Sequence, residues 1–217
     1  GTVGGGKFES LVIAEAKERL KDGKNLLKKY PLREGETDSF GAICGGEVTL
    51  WFEPHKKAPC LLLVGAGHCA QAIAKLASEC GFHVTVVDDR REWTEVCPGV
   101  HRKVSDRMPQ EVIRGQSWTG EDAIVLVSRN FMIDRDALEE AVKAKGIGYI
   151  GMIGSRKKVL QVFDELKAKG VKAEVLAKVY APIGLDIGSD SPAEIAVSVL
   201  AEILQVLRKA KGGHLKI

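Results

Sequence analysis

The sequence predicts an α/β fold in which a doubly wound parallel sheet follows a small N-terminal α+β unit. Three observations lead to this fold class. A glycine-rich turn joins a short apolar strand to a helix pattern near residue 65, strand and helix patterns alternate from residue 60 onward, and residues 1–57 carry a shorter pattern of their own. Alternating strands and helices favour parallel pairing, because each crossover helix returns the chain to the same end of the sheet.

The glycine turn follows a continuous apolar run at residues 60–64 and has the form Gly-x-Gly-x-x-Ala. Gly65 suits a tight turn, Gly67 lets a phosphate approach the backbone, and Ala70 lets the following helix pack close to the sheet. The start of that helix offers free N–H groups and a positive dipole end to an anion. This order is typical of a Rossmann-like dinucleotide fold. The glycines could instead serve the turn alone, and the fold by itself does not name a chemistry.

Charged residues accompany the turn. A second apolar strand at residues 84–87 ends at Asp88, which lies 23 residues after Gly65, where a Rossmann fold reads a ribose hydroxyl. Arg90 and Arg91 could instead take a phosphate, and the sequence leaves both readings open. His68 follows the second glycine, so we expect it to face the anion site; the alternative is an exposed polar residue at a helix start.

Composition excludes several classes of protein. The 217-residue chain has a net charge of +3 with basic residues spread along it, which does not favour nucleic-acid binding. No apolar run approaches the roughly 20 residues that span a bilayer, and the N-terminus lacks the features of a signal peptide, so we expect a cytoplasmic protein without membrane contact. The five cysteines are odd in number and include no Cys-x-x-Cys, which argues against a disulfide framework or a structural zinc site.

Residues 1–57 are predicted to form a separate small unit, with a helix at about 8–21 and strands near 25–32 and 48–52. This unit is too small to bury a good core alone and should pack against the larger domain or against another chain. The sequence therefore leaves open an incomplete unit and a homodimer. Its glycine loop contains Cys44, a thiol that could be reactive or bind a soft ligand, or be inert.

The larger domain is predicted over residues 60–210. Strands are expected at 123–127 and 147–153. Helices are expected at about 134–145 and, after residues 154–158, to about 169. Ser155 and Arg156 follow one of these strands and could form a phosphate clamp with helix N–H groups, or be a solvated face. Asp186 and Gly188 lie in an irregular loop before the last helix, which begins with a capping box at residues 191–194.

Standard catalytic patterns do not stand out in the sequence. We find no Ser–His–Asp order, paired-carboxylate motif, His-x-x-x-His or Walker loop, and no evident acid for hydride transfer. This weakens the hypothesis that the chain is an NAD(P)-dependent oxidoreductase. That hypothesis remains an alternative, as does a nucleotide-sensing interaction module.

Several segments together resemble the XdhC/CoxI family, the accessory proteins of xanthine dehydrogenase and related molybdenum hydroxylases. The segments are GTVGGGKFE at 1–9, ICGGEV at 43–48, LLLVGAGHCAQAIAKLA at 61–77, VTVVDDR at 84–90, GYIGMIGSRKK at 148–158 and APIGLDIGSDSPAEIAVSVLAEI at 181–203. They span most of the chain and are far more specific than the glycine turn alone.

The resemblance implies a C-terminal Rossmann domain, binding of the molybdenum cofactor, protection of its sulfurated form and handover to a molybdenum hydroxylase apoenzyme. A cysteine desulfurase is a further partner that this reading leaves open. The cofactor is a pterin with a phosphate, often extended by a nucleotide, which suits the anion-binding turn. The resemblance therefore favours a cofactor-binding chaperone over an enzyme.

The expected cofactor-binding residues are Gly65, Gly67, His68, Asp88, Ser155, Arg156, Asp186 and Gly188, with Cys44 as the candidate contact to molybdenum or sulfur. Two features depart from the family pattern. Lys7 stands where family members typically carry a cysteine in a motif like GTVSGGCLE, so that thiol role is absent. The chain also begins inside what resembles the N-terminal domain, which predicts either a short family member or a piece of a longer chain.

Overall fold

The computed structural model describes residues 1–31, 46–55 and 57–216. They form two compact units, Gly1–Lys57 and Ala58–Ile217, and each unit has its own buried apolar cluster or clusters. Among the described residues, none of the helices combines the length and apolar character needed to cross a bilayer. The predicted fold class is confirmed, because the second unit contains a five-stranded parallel sheet with helices on both faces.

The described residues of the N-terminal unit form one helix and a two-stranded antiparallel sheet. Its elements are α1 (Gly6–Asp22), β1 (Leu26–Pro31) and β2 (Glu47–Phe52). The buried side chains are Phe8, Val12, Tyr30 and Phe52. Leu20, near the end of the same helix, is 61% exposed.

The second unit alternates strands and helices along most of its length. Its elements are β3 (Cys60–Val64), α2 (His68–Glu79), β4 (His83–Val87), α3 (Arg91–Val96), β5 (Arg102–Val104), α4 (Pro109–Arg114), β6 (Ala123–Leu126), α5 (Phe131–Ala141), β7 (Tyr149–Met152), α6 (Arg156–Ala168), α7 (Ala173–Leu176) and α8 (Pro192–Leu207).

The sheet order is β5-β4-β3-β6-β7, and all neighbouring strands are parallel. Successive strand residues point to opposite faces, so Leu63 packs in the cluster that includes α2 and α8, whereas Leu62 packs in the cluster that includes α4, α5 and α6. Burial on both faces explains why the strands are continuous apolar runs. The chain changes direction between β3 and β6, which is where open α/β sheets bind ligands.

Some elements carry no clear sequence signal. β5 has only three residues, of which Arg102 and Lys103 are exposed, so neither apolar alternation nor length predicts it. Tyr180 forms a single parallel bridge to Gly151 and so adds the start of a sixth strand beside β7. The capping box of α8 is confirmed: Ser191 Oγ accepts from Glu194 N at 3.3 Å, and the Glu194 carboxylate accepts from Ser191 N at 2.9 Å.

Candidate functional site

Gly65 and Gly67 lie where β3 runs into α2, and their surroundings differ. Gly65 has a φ of +111°, and a Cβ there would lie 2.6 Å from the carbonyl oxygen of Val127. Only glycine fits this position, because the turn packs directly against the end of β6. Gly67 has an ordinary φ of −67°, and a Cβ there would meet no atom within 4 Å. Neither strain nor packing requires glycine at position 67, which leaves open space beside the backbone at the start of α2.

The N-terminus of α2 faces this open space. Gly67 is the N-cap residue and its backbone carbonyl accepts from Gln71 N at 2.9 Å, while no described side chain caps the first turn. The helix has 12 residues, so its first N–H groups and its dipole can attract an anion. This local geometry is what a phosphate needs to approach the backbone closely.

Asp88 follows β4 and is buried beside the turn. Its Oδ2 accepts from Ala66 N at 2.8 Å, and its Oδ1 accepts from Arg90 N at 3.0 Å. The Arg90 guanidinium donates to both oxygens, from Nε at 2.9 Å and from Nη2 at 2.8 Å. Burial would raise the pKa of Asp88, but the hydrogen bonds from Arg90 and Ala66 outweigh it and lower the pKa from 3.8 to about 2. Asp88 is therefore ionised at neutral pH, and its hydrogen bonds link the end of β4 to the glycine turn.

An aromatic contact continues this cluster toward the helix start. The Arg90 guanidinium lies over the Trp93 ring, 4.7 Å from its centroid. His68, the first residue of α2, meets the same indole edge-on, with 5.3 Å between ring centroids. His68 is exposed and directly follows Gly67, and its place at an anion site stays a prediction.

A cleft of about 80 Å³ opens on the α4 and α5 side of the change of strand direction. Gly65 and Asp88 form part of its floor, and its walls are both apolar and charged. The remaining lining residues are Val87, Asp89, Arg107, Met108, Pro109, Ser128, Arg129 and Ile133. Asp89 and Arg129 form an ion pair across it, with 2.8 Å between Oδ2 and Nη2. The cleft is smaller than the roughly 300 Å³ of an ordinary small-molecule site, so it could hold only part of a ligand.

Ser155 and Arg156 stand at the start of α6, after the carboxyl end of β7. Ser155 is the N-cap and its Oγ accepts from Lys158 N at 3.3 Å, so its hydroxyl already serves the helix. Arg156 is exposed and makes no ion pair with a carboxylate of the described residues. Neither residue lines the 80 Å³ cleft.

Beneath this helix start lies a buried ion pair that sequence reasoning missed. Lys158 Nζ lies 2.6 Å from Oδ2 of Asp134, whose side chain is fully buried, and Oδ1 of Asp134 accepts from Ser128 N at 3.1 Å. Burial raises the pKa of Asp134, and the bonds from Lys158 and Ser128 oppose that rise. The pair ties the loop after β6 to the start of α6. A carboxylate inside a predicted helix gives no sequence signal of such a partner.

Asp186 and Gly188 both lie on the exposed part of the loop before α8. Earlier in that loop, the half-buried Gly184 donates its N–H to the Glu202 carboxylate at 3.0 Å. Tyr149 also donates its hydroxyl to Glu202, and burial is the main cause that raises the pKa of this phenol. Sequence reasoning did not single out Tyr149 or Glu202, because residues 53 positions apart reveal their contact only in the fold.

Cys44 falls within residues 32–45 and so lies outside the described residues. The other four cysteines are free thiols. Burial raises the pKa of Cys69, and it raises the pKa of Cys97 to about 11. The described residues contain no group of three or more His, Cys, Asp or Glu side chains that could hold a metal ion.

Comparison with known proteins agrees with this architecture. A family model described as the XdhC Rossmann domain matches residues 61–203, well over half of the chain. The protein YqeB of Escherichia coli K12 is 35% identical over 215 residues, which are 98% of this chain and 39% of that protein. A probable subunit of xanthine dehydrogenase from Bacillus subtilis is 29% identical over 153 residues, which are 70% of this chain and 44% of that protein.

A solved structure described as a xanthine dehydrogenase from Bacillus halodurans superposes with a TM-score of 0.62. The match covers 92% of this chain and 67% of that one at 21% identity, and it shows a shared fold. The chain spans about two-fifths of the length of the curated relatives, at 39% and 44%.

Proposed function

The chain belongs to the XdhC family, and on that premise we propose that it binds the molybdenum cofactor and helps its sulfuration and insertion into a xanthine dehydrogenase-type hydroxylase. The cofactor is a phosphorylated pterin, and it supplies the molybdenum centre on which the target enzyme depends. The partner in this proposal is the hydroxylase apoenzyme, and a cysteine desulfurase is a second candidate partner. Because the chain spans only part of its curated relatives, the handover step is proposed for the whole protein.

The observation that carries the proposal is the open space at Gly67. Neither φ nor packing requires glycine at this N-cap position, and Gly67 stands where a phosphate would meet the N–H groups of α2. His68 borders the same space and can donate a hydrogen bond to an anion. These groups fit the phosphate of a pterin cofactor.

We assign the phosphates of the cofactor to the glycine turn. The neighbouring cleft of about 80 Å³ is well below the roughly 300 Å³ at which small-molecule sites begin, so it can take only part of an extended cofactor. Its lining includes Met108, Pro109 and Ile133 together with Arg107 and Arg129. Contacts from Ser155, Arg156, Asp186 and Gly188, and a molybdenum or sulfur contact from Cys44, stay predictions, as do a homodimer and a cytoplasmic location.

The test is retention of the cofactor on gel filtration. The purified protein is incubated with molybdenum cofactor released from a donor enzyme, with or without excess NADH or NADPH, and the pterin in the protein peak is measured. We expect stoichiometric retention that nicotinamide nucleotides do not reduce. Retention of a nicotinamide nucleotide alone would favour an oxidoreductase, and a nucleotide-dependent change in assembly without pterin binding would favour a sensing module.

Two glycine variants make this test specific for the site. Gly67→Arg fills the space beside the α2 N-terminus and should abolish retention without lowering the melting temperature. The matched control is Gly120→Arg, since Gly120 is exposed and a Cβ there would likewise meet no atom within 4 Å. Full retention by Gly67→Arg would contradict the assignment of the phosphate to α2.

A further inference from the structure

All hydrogen-bonding positions of the Asp88 carboxylate are filled by the protein itself. Its two oxygens together accept four hydrogen bonds, two from the backbone N–H groups of Ala66 and Arg90 and two from the Arg90 guanidinium. A carboxylate offers about four lone-pair positions in total. In this arrangement Asp88 has nothing left with which to accept a hydrogen bond from a ligand.

A Rossmann fold recognises NAD through an acidic residue at the end of the second strand of its first βαβ unit. That residue accepts hydrogen bonds from the adenosine ribose. Asp88 holds that place, after β4 and beside the glycine turn. A ribose could use it only if the guanidinium of Arg90 moved away. The backbone contacts would stay, since they do not depend on the side chain at position 90.

The Arg90 side chain is held on two sides and is not free to move at low cost. Its fork on Asp88 is bidentate, the Trp93 ring lies 4.7 Å below its guanidinium, and the side chain is only 20% exposed. Bidentate contacts between arginine and a carboxylate are among the stronger ones in proteins.

We propose that Arg90 is a specificity-determining residue that excludes NAD(H) from this Rossmann site by occupying the carboxylate of Asp88. In this arrangement the glycine turn can still bind a phosphate, but the Asp88 carboxylate cannot accept a hydrogen bond from a ribose. Ligands that need the turn but not the ribose contact are unaffected. This inference concerns which dinucleotides are rejected, and it does not depend on the proposed cofactor.

The test is a fluorescence titration of NADH into the full chain and its Arg90→Ala variant. Removing the side chain frees two lone-pair positions on Asp88, which match two ribose hydroxyls, and leaves the backbone bonds in place. We expect NADH to bind at least about tenfold more tightly to the variant, as hydrogen bonds to a charged group predict. NADPH should gain less, since its ribose phosphate would meet the Asp88 carboxylate.

Three controls identify the cause of any gain. Arg91→Ala removes a neighbouring arginine that is 82% exposed, and it should bind NADH as the wild type does. Asp88→Asn combined with Arg90→Ala should lose most of the gain, because the amide has no charge and keeps only one acceptor oxygen. Arg90→Met keeps an apolar stem over Trp93 and should reproduce the gain if the alanine variant folds poorly.

Four results would overturn the proposal. They are tight NADH binding by the wild type with Arg90 intact, no gain in either Arg90 variant, an equal gain for NADH and NADPH, and a gain that survives the loss of Asp88. Retention of the pterin cofactor is measured separately, so failure here leaves the proposed function standing, and failure there leaves this inference standing.

Discussion

Gly65 and Gly67 are two residues apart, and the fold needs only one of them. Gly65→Ala would force a Cβ to within 2.6 Å of a carbonyl oxygen at a φ of +111°, so it should lower the free energy of unfolding by about 2 kcal/mol or more. Gly67→Ala meets neither obstacle and loses only the N-cap preference for glycine, so it should lower the free energy of unfolding by about 1 kcal/mol or less. Urea unfolding of the two variants measures this difference, and equal losses would contradict it.

The lowered pKa of Asp88 predicts how the stability of the protein changes at acidic pH. Because the pKa falls from 3.8 to about 2 on folding, ionised Asp88 should stabilise the protein by about 2 kcal/mol above pH 4. That contribution is present above the unfolded pKa and is lost as the pH falls through the folded pKa. The stability gap between wild type and Asp88→Asn should therefore close between pH 4 and pH 2.

Urea unfolding at a series of pH values measures this gap. The control is Asp89→Asn, because the Asp89 side chain is 56% exposed and its ion pair with Arg129 lies at the surface. The control should differ little from the wild type at any pH. A gap for Asp88→Asn that stays constant down to pH 2 would show that its ionisation does not contribute.

For single residues, the sequence predicts where a side chain lies in the fold better than which group it bonds. The spacing from Gly65 to Asp88 correctly put an acid beside the glycine turn, because strand and helix lengths in a βαβ unit are regular. It left open what Arg90 does, and the structure pairs Arg90 with that acid. Side-chain choice between an internal carboxylate and a ligand depends on three-dimensional distances that spacing does not contain.

Among the elements, α5 and α6 are joined by the buried pair of Asp134 and Lys158. Lys158→Met would leave a fully buried carboxylate without its cation, and this should cost about 3 kcal/mol of stability at pH 8. Burial already raises the pKa of Asp134, and loss of the lysine removes the main opposing contact. A raised folded pKa stabilises the protein at low pH and loses that effect as the pH rises, so the deficit of the variant should shrink in acid.

Chemical denaturation at pH 5 and pH 8 measures that shrinkage. Lys157→Met is the matched control, because Lys157 is exposed and forms no ion pair with a described carboxylate. Adding Asp134→Asn to the lysine variant should restore part of the stability at pH 8. An equal deficit at both pH values would mean that Asp134 does not titrate in the folded variant.

Element prediction succeeded where the local chemistry is decisive. The last helix begins at Pro192 as its capping box predicted, since Ser191 and Glu194 satisfy each other's backbone N–H groups within four residues. Short β5 and the bridge at Tyr180 escaped prediction, because their hydrogen bonds come from neighbouring strands and their sequences are not apolar runs.

At the scale of the whole molecule, the two units differ in how well they can stand alone. The described residues of the first unit bury a single cluster of four large side chains, whereas the second unit buries clusters on both faces of its sheet. Small units bury too little surface to be stable by themselves. We therefore expect residues 58–217, produced alone, to melt cooperatively, and residues 1–57 alone to lack a cooperative transition.

The proposed contacts to the cofactor fall in different units of the chain. Gly67, Asp88 and the 80 Å³ cleft all belong to the second unit, while Cys44 belongs to the first. If the phosphate and nucleotide provide most of the affinity, residues 58–217 alone should retain the pterin cofactor, and Gly67→Arg should abolish that retention as in the full chain. Cofactor retention and circular dichroism on the same sample distinguish the outcomes: a folded fragment that loses the cofactor would assign the main contacts to the first unit, with Cys44 the first residue to mutate.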